Sequence, residues 1–179
     1  MLLSRRQKCI QEKREDKKQL FHSPNIRRRL CNDAGFPIFG NPKQFMQYWL
    51  VKSEPFVYSW ENLKDDKSTA WTGVRNYGAR NNLRSMKKGD LVLFYHSNEG
   101  LEIVGITKVK KEHYQDPTTE DPNWVAVDLS AFKKLKTPVT LKQIKQDPIL
   151  QQMALVKLSR LSVIPVLAEE FDRILELGS

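Results

Sequence analysis

The sequence predicts an α+β domain, a small and mostly antiparallel β-barrel with helices at its periphery. Three observations carry that expectation. Segments of strand character outnumber helical ones and do not alternate with them regularly, which argues against a doubly wound parallel sheet. Leu91–Tyr95, reading LVLFY, is apolar on both faces and therefore belongs at the centre of a sheet. Residues 1–45 show neither apolar period, because Ile10, Leu20 and Leu30 stand isolated among charges, so the folded part begins near Met46.

The elements follow in order. Tyr48-Trp49-Leu50-Val51 reads as a buried strand, stopped by Glu54-Pro55 because proline cannot donate to a ladder. Ser59 N-caps a short helix through Leu63, its hydroxyl accepting from an orphan N–H. Gly78–Met86 reads as a second helix with Ala79, Leu83 and Met86 on one face, ended by a positive φ at Gly89. After the central strand, Ser97-Asn98-Glu99-Gly100 supplies a turn and Leu101–Val109 returns as the hairpin partner. Trp124–Leu129 is a further strand, and Lys133, Lys134 and Lys136 read as a solvated edge that discourages strand addition. Thr140 and Gln143 form a capping box for a helix ending near Asp147-Pro148. Leu158–Val166 alternates as a strand, and Leu167, Phe171, Ile174 and Leu175 mark a closing amphipathic helix.

Composition bounds the function. No apolar run approaches the ~20 residues of a membrane helix, and Met1-Leu2-Leu3-Ser4-Arg5-Arg6 lacks the apolar stretch of a secretory signal. Cys9 and Cys31 are the only cysteines, too few for a disulfide framework or a four-cysteine zinc site. The expectation is a reduced, non-secreted protein with no membrane association, cytoplasmic in a bacterium or nuclear in a eukaryote, monomeric, and without cofactor or metal. The net charge of +9 suggests nucleic acid until it is located. Residues 1–45 hold eleven Lys and Arg against four acids, whereas the remainder holds nineteen against seventeen. The excess therefore belongs to a basic N-terminal extension, expected to be a solvated arm that adds sequence-independent phosphate affinity. Gly35–Pro42 reads as its linker, and Met46 is a candidate initiator.

Trp71–Arg84, WTGVRNYGARNNLR, is the segment richest in chemistry. It places three arginines and three asparagines beside a tryptophan and a glycine. Buried guanidinium and amide groups are costly unless paired, so the segment suits a site that grips a phosphate chain while a flat ring lies on Trp71. Trp71 is equally suited to an ordinary core position. Lys52 and Ser53, at the end of the first strand, and Tyr95-His96-Ser97 with Asn98, at the end of the central one, put hydrogen-bonding groups at strand mouths where ligands bind. His96 serves either as a base-edge donor or as a structural histidine, and Ser97 and Asn98 also fit the hairpin turn. Asn76 and Tyr77 precede the second helix, whose amides favour an anion. Arg75, which precedes that helix close to Trp71, and Arg80, Arg84 and Lys87, which share its polar face, are candidate phosphate contacts. Arg160 and Ser162 project to one side of the Leu158–Val166 strand and are candidates for the same groove.

These blocks resemble a known family. Tyr48–Pro55 (YWLVKSEP), Tyr58-Ser59-Trp60, Trp71–Leu83, Phe94–Asn98 (FYHSN), Pro138-Val139-Thr140-Leu141 and Arg160-Leu161-Ser162-Val163 are similar to an EVE domain, over Met46 to about Gly178. The resemblance implies a PUA-like pseudo-barrel, related to YTH and ASCH modules, that reads a modified base in DNA or RNA rather than transforming it. By position, Lys52-Ser53 resembles the Lys-Ser of the YTH base pocket and Trp71 its first aromatic wall. No second cage tryptophan stands at the matching place, so Tyr95 or Phe94 would substitute. The resulting expectation is a base pocket of Lys52, Ser53, Trp71, Asn76, Tyr77, Tyr95, His96 and Ser97, with Arg75, Arg80, Arg84 and Arg160 on phosphates.

Two other classes stay open on sequence alone. One is an enzyme acting on nucleotides or RNA, although no Gly-x-Gly-x-x-Gly, P-loop, nucleophile elbow or paired catalytic carboxylates occur. The other is an interaction adaptor working through the extension.

Overall fold

The computed structural model describes residues 46–179. The expectations for the basic extension and its linker lie outside the described residues. Six strands and five α-helices follow: β1 (Tyr48–Ser53), α1 (Trp60–Asp66), β2 (Ser68–Trp71), α2 (Tyr77–Ser85), β3 (Leu91–His96), β4 (Glu102–Gln115), β5 (Val125–Thr140), α3 (Leu141–Gln146), α4 (Ala154–Lys157), β6 (Val163–Val166) and α5 (Ala168–Leu177), with a 3₁₀ turn at Leu150–Gln152. They form one mixed sheet in the order β2-β5-β4-β3-β1-β6. Only β1 and β3 pair in parallel, Ser53 opposite His96, and the other pairings are antiparallel. Edge strands β2 and β6 do not pair with each other among the described residues, so the barrel is an open one.

Period-two alternation gives the sheet two buried faces. Trp49 and Val51 of β1, Val92 and Phe94 of β3, and Val127 and Leu129 of β5 meet on the inner face, where Trp60 and Leu63 of α1 and Ala79 and Leu83 of α2 close over them. The intervening Leu50, Leu93 and Tyr95 face outward onto Ile144, Leu155, Phe171 and Ile174 of the C-terminal helices. Register shifts along β4, between Ile103 and Gly105 and again at Val109, bend the long β4–β5 hairpin. Gly105 is required there, because a Cβ would sit 2.5 Å from the Trp60 ring that rests on it.

Several boundaries differ from the sequence reading. The Ser59 cap and the Thr140–Gln143 capping box are present as expected, but α1 continues three residues past Leu63 to Asp66. Helix α2 ends at an extended Met86; Gly89 does take a positive φ of 100°, but in the turn into β3. Strand β5 runs to Thr140 rather than Leu129, because β4 pairs with the lysine-rich segment that looks like a break in sequence. There Lys133, Lys134 and Lys136 are exposed, as an edge requires. The last strand is only Val163–Val166. Leu161 donates to the Leu158 carbonyl in a turn, so Arg160 and Ser162 do not share a strand face. Leu167 caps α5 and is exposed rather than lying in its apolar stripe. No helix among the described residues is long and apolar enough to cross a membrane.

Candidate nucleic-acid interface

A cavity of about 710 Å³ opens between the end of β1 and the end of β2, within the size range of small-ligand pockets. One wall is Lys52, Ser53, Glu54, Val57 and Tyr58; the other is Thr69–Asn76; Ser162 lies between them. Residues from the first and fifth strands in sheet order can share a cavity only because the sheet curls. Trp71 is half-buried, with its ring edge-on to buried Phe94 (centroids 5.8 Å apart, planes at 82°) and the rest of its surface available to the cavity. Lys52 donates from Nζ to the Ser159 carbonyl at 2.9 Å, and burial lowers its pKa. The Ser53 hydroxyl donates to the Tyr58 carbonyl at 2.6 Å, which closes the turn after β1.

The wall beyond Trp71 is organised by Asp116, whose side chain is fully buried. Its carboxylate accepts from Arg75 Nη1 (2.7 Å), the Gly73 amide (2.9 Å), and the Thr118 amide and hydroxyl (2.9 and 2.7 Å). Burial opposes the charge, but these hydrogen bonds, with Arg75 foremost, outweigh it and hold the carboxyl well below the usual carboxylate range. Arg75 also donates to the Thr118 hydroxyl and lies 5.6 Å from the Trp124 ring centroid. It lines the cavity with its charge neutralised, which weakens the expectation of a phosphate contact. Outside the cavity lining, Arg80 lies over Tyr77 (4.8 Å) and Trp124 (5.9 Å), and those two rings pack 5.1 Å apart. Arg80 bonds only the neutral Asn81 side chain, and Arg84 the Asn123 carbonyl, so neither has an acid partner among the described residues.

Residues 47–177 match the EVE domain. The chain belongs to the EVE domain family. Thymocyte nuclear protein 1 of Mus musculus is 39% identical over 169 residues, covering 75% of each protein. Among solved structures, the Agrobacterium tumefaciens protein Atu2648 is 48% identical with a TM-score of 0.73, covering 74% of this chain and 93% of that one. The human THYN1 protein, solved in complex with 5-methylcytosine-containing DNA, is 35% identical with a TM-score of 0.69, covering 74% and 98%. The α+β architecture expected from the sequence is therefore that of the family.

Within this EVE domain the structure brings Lys52, Ser53, Trp71, Arg75 and Asn76 to one cavity, together with Ser162. Asn76 additionally N-caps α2, its Oδ1 accepting from the Ala79 amide at 3.0 Å. Asn76 borders a second groove of about 340 Å³ that holds Arg160 and Lys157, so the two depressions adjoin. Four expected pocket residues lie elsewhere. Tyr95 is buried in the outer core, on the opposite sheet face from Trp71, because it follows Phe94 by one residue. Phe94 is the aromatic neighbour of Trp71, but it is fully buried behind the indole. His96 accepts at Nε2 from the Trp60 amide (3.2 Å), which satisfies an orphan donor of α1; burial lowers its pKa. Ser97 donates its amide to the Ser53 carbonyl at the hairpin, and Tyr77 is exposed, packed on Trp124 outside the cavity lining. Lys87 lies past the end of α2, paired with Glu112 at 3.0 Å. Sequence reasoning missed Asp116, Trp124, Val57 and Tyr58. Asp116 stands in an Asp-Pro step that reads as an ordinary turn, and nothing local ties it to Arg75.

Proposed function

We propose that this EVE domain is a non-catalytic reader of a modified base in DNA, with 5-methylcytosine as the first base to test. The observation that carries the reading is a half-buried indole beside an open cavity whose other wall offers Lys52 and Ser53. A base turned out of the strand would stack on Trp71 and present its edge to the polar wall. The 5-methylcytosine-containing DNA bound to the human THYN1 protein supplies the base and the choice of DNA over RNA. Arg80 and Arg84 on α2, with Arg160 in the adjoining groove, would take the flanking phosphates. Acid–base chemistry has little to work with here. Glu54 is the one carboxylate lining the cavity among the described residues, and Asp116 behind the wall is fixed in its charged form by four donors. In a eukaryotic cell such a reader belongs in the nucleus, and in a bacterial one in the cytoplasm.

The test is a pair of oligonucleotides differing by one methyl group on one cytosine. The methylated one should bind more tightly, and Trp71→Ala should weaken its binding by about 1–3 kcal/mol at a temperature where the variant is folded. Equal affinities for the two oligonucleotides, or an unaffected variant, would remove the reading.

A further inference from the structure

The turn between β1 and α1 shows two adjacent apolar side chains to solvent at the mouth of the cavity. Phe56 and Val57 are each 69% exposed. Single exposed apolar residues need no explanation. Two neighbours held on a fixed turn beside a ligand cavity do, because their exposure is maintained by structure. The Glu54 carbonyl accepts from the amides of both Val57 and Tyr58, each at 2.9 Å. Ser53 Oγ ties the Tyr58 carbonyl, Tyr58 Oη donates to Asp66 at 2.7 Å, and the Tyr58 ring packs against the inner core. Pro55 fixes one φ in the turn. The pair is thus presented rather than left loose, and Val57 itself lines the cavity.

We propose that Phe56 and Val57 form an apolar wedge that enters the base stack of duplex DNA and fills the gap left when a base turns out into the Trp71 cavity. The proposal rests on reading that cavity as a base pocket. Turning a base out of a duplex forfeits stacking on both sides, and an inserted apolar side chain restores contact with the bases left behind. Charge selects the occupant. Arg80 shares the Trp124 ring with the cavity-lining Arg75, and the groove adjoining the cavity at Asn76 holds Lys157 and Arg160, a surround suited to phosphates rather than to an apolar protein surface. The wedge makes duplex DNA, not merely single strands, a substrate of the site. A single strand has no gap to fill, so it should not need the wedge.

The experiment uses the full chain and its Phe56→Ala variant, which spares the cavity-lining Val57, against one sequence with a single 5-methylcytosine, as single strand and as duplex. The Phe56 side chain is exposed, so the variant should keep the wild-type thermal midpoint. Duplex affinity should fall roughly tenfold or more while single-strand affinity changes by less than about twofold. A 2-aminopurine beside the methylated base should brighten on binding wild type and not the variant, and Phe56→Leu alone should retain most duplex binding. Equal losses on both forms, no loss, or wild-type binding confined to single strands would overturn the wedge and leave the reader intact. So would loss of a protein partner from cell extract without any change in duplex affinity. Absence of any methyl preference in the wild type would overturn the base pocket, and the wedge with it.

Discussion

On one side of the cavity, Gly73 and Arg75 are fixed by a carboxylate 43 and 41 residues further along the chain. On the other side, Ser53 to Tyr58 is closed by hydrogen bonds between residues at most five apart. The first wall exists only when the β4–β5 hairpin has folded back, since Asp116 sits at its turn; the second is a local motif that forms with the end of β1. The long-range wall carries the Trp71 indole and is the part exposed to damage by distant mutation. The local wall carries the turn at the mouth and is correspondingly robust.

Breaking the long-range tie should have the largest effect. Asp116→Ala removes a fully buried acid and leaves Arg75 and the Gly73 amide without their partner, which should cost about 3–5 kcal/mol in denaturant unfolding. Because the folded-state pKa of Asp116 is depressed, its contribution is complete at neutral pH. That contribution is lost as pH falls below the ordinary value of 3.8 toward the native one.

The arginines of that wall separate by role. Arg75→Ala should cost about 1.5–3 kcal/mol of stability, since its bond to a charged group is lost, while leaving the salt dependence of DNA binding unchanged. Arg80→Ala should do the converse. It should cost at most about 1 kcal/mol of stability and flatten the slope of log affinity against log salt by roughly 0.7–0.9. A slope that responds to Arg75 instead would reverse the assignment.

The local wall should respond less. Ser53→Ala should destabilise by about 1 kcal/mol, the loss of one hydrogen bond, and weaken single-strand and duplex binding alike, because Ser53 also lines the cavity. The smallest effect belongs to His96. Its folded-state pKa lies below 6.5, so the unfolded chain takes up a proton first as pH falls through that value. Stability should decline over that window until the native imidazole also protonates. His96→Gln should abolish that decline in a pH series of thermal midpoints; an identical decline in the variant would locate the titration elsewhere.

The sequence-readable parts of this molecule are those decided within a few residues. Ser59 and Thr140 cap helices because a hydroxyl reaches an amide three positions on. Tyr48–Val51 and Leu91–Tyr95 are strands because both their faces are apolar. Strand ends were harder, since β5 is held through a run of lysines by β4, and pairing with a distant strand leaves no local mark. The site divides the same way. Lys52, Ser53, Trp71 and Asn76, which line one cavity, stand where polar groups break an apolar pattern in the sequence. Tyr95 was misplaced because a strand's alternation sends neighbouring residues to opposite faces, and only the packing of helices α3–α5 makes the second face a core.

By itself the chain specifies most of its secondary structure, its family and a segment whose arginines and asparagines are unsuited to an ordinary core, because those follow from residue type and short-range spacing. Which arginine is neutralised, which aromatic ring meets the cavity and which histidine is structural were decided only by tertiary structure. Each depends on a partner that the chain brings close in space while keeping it tens of residues away in sequence.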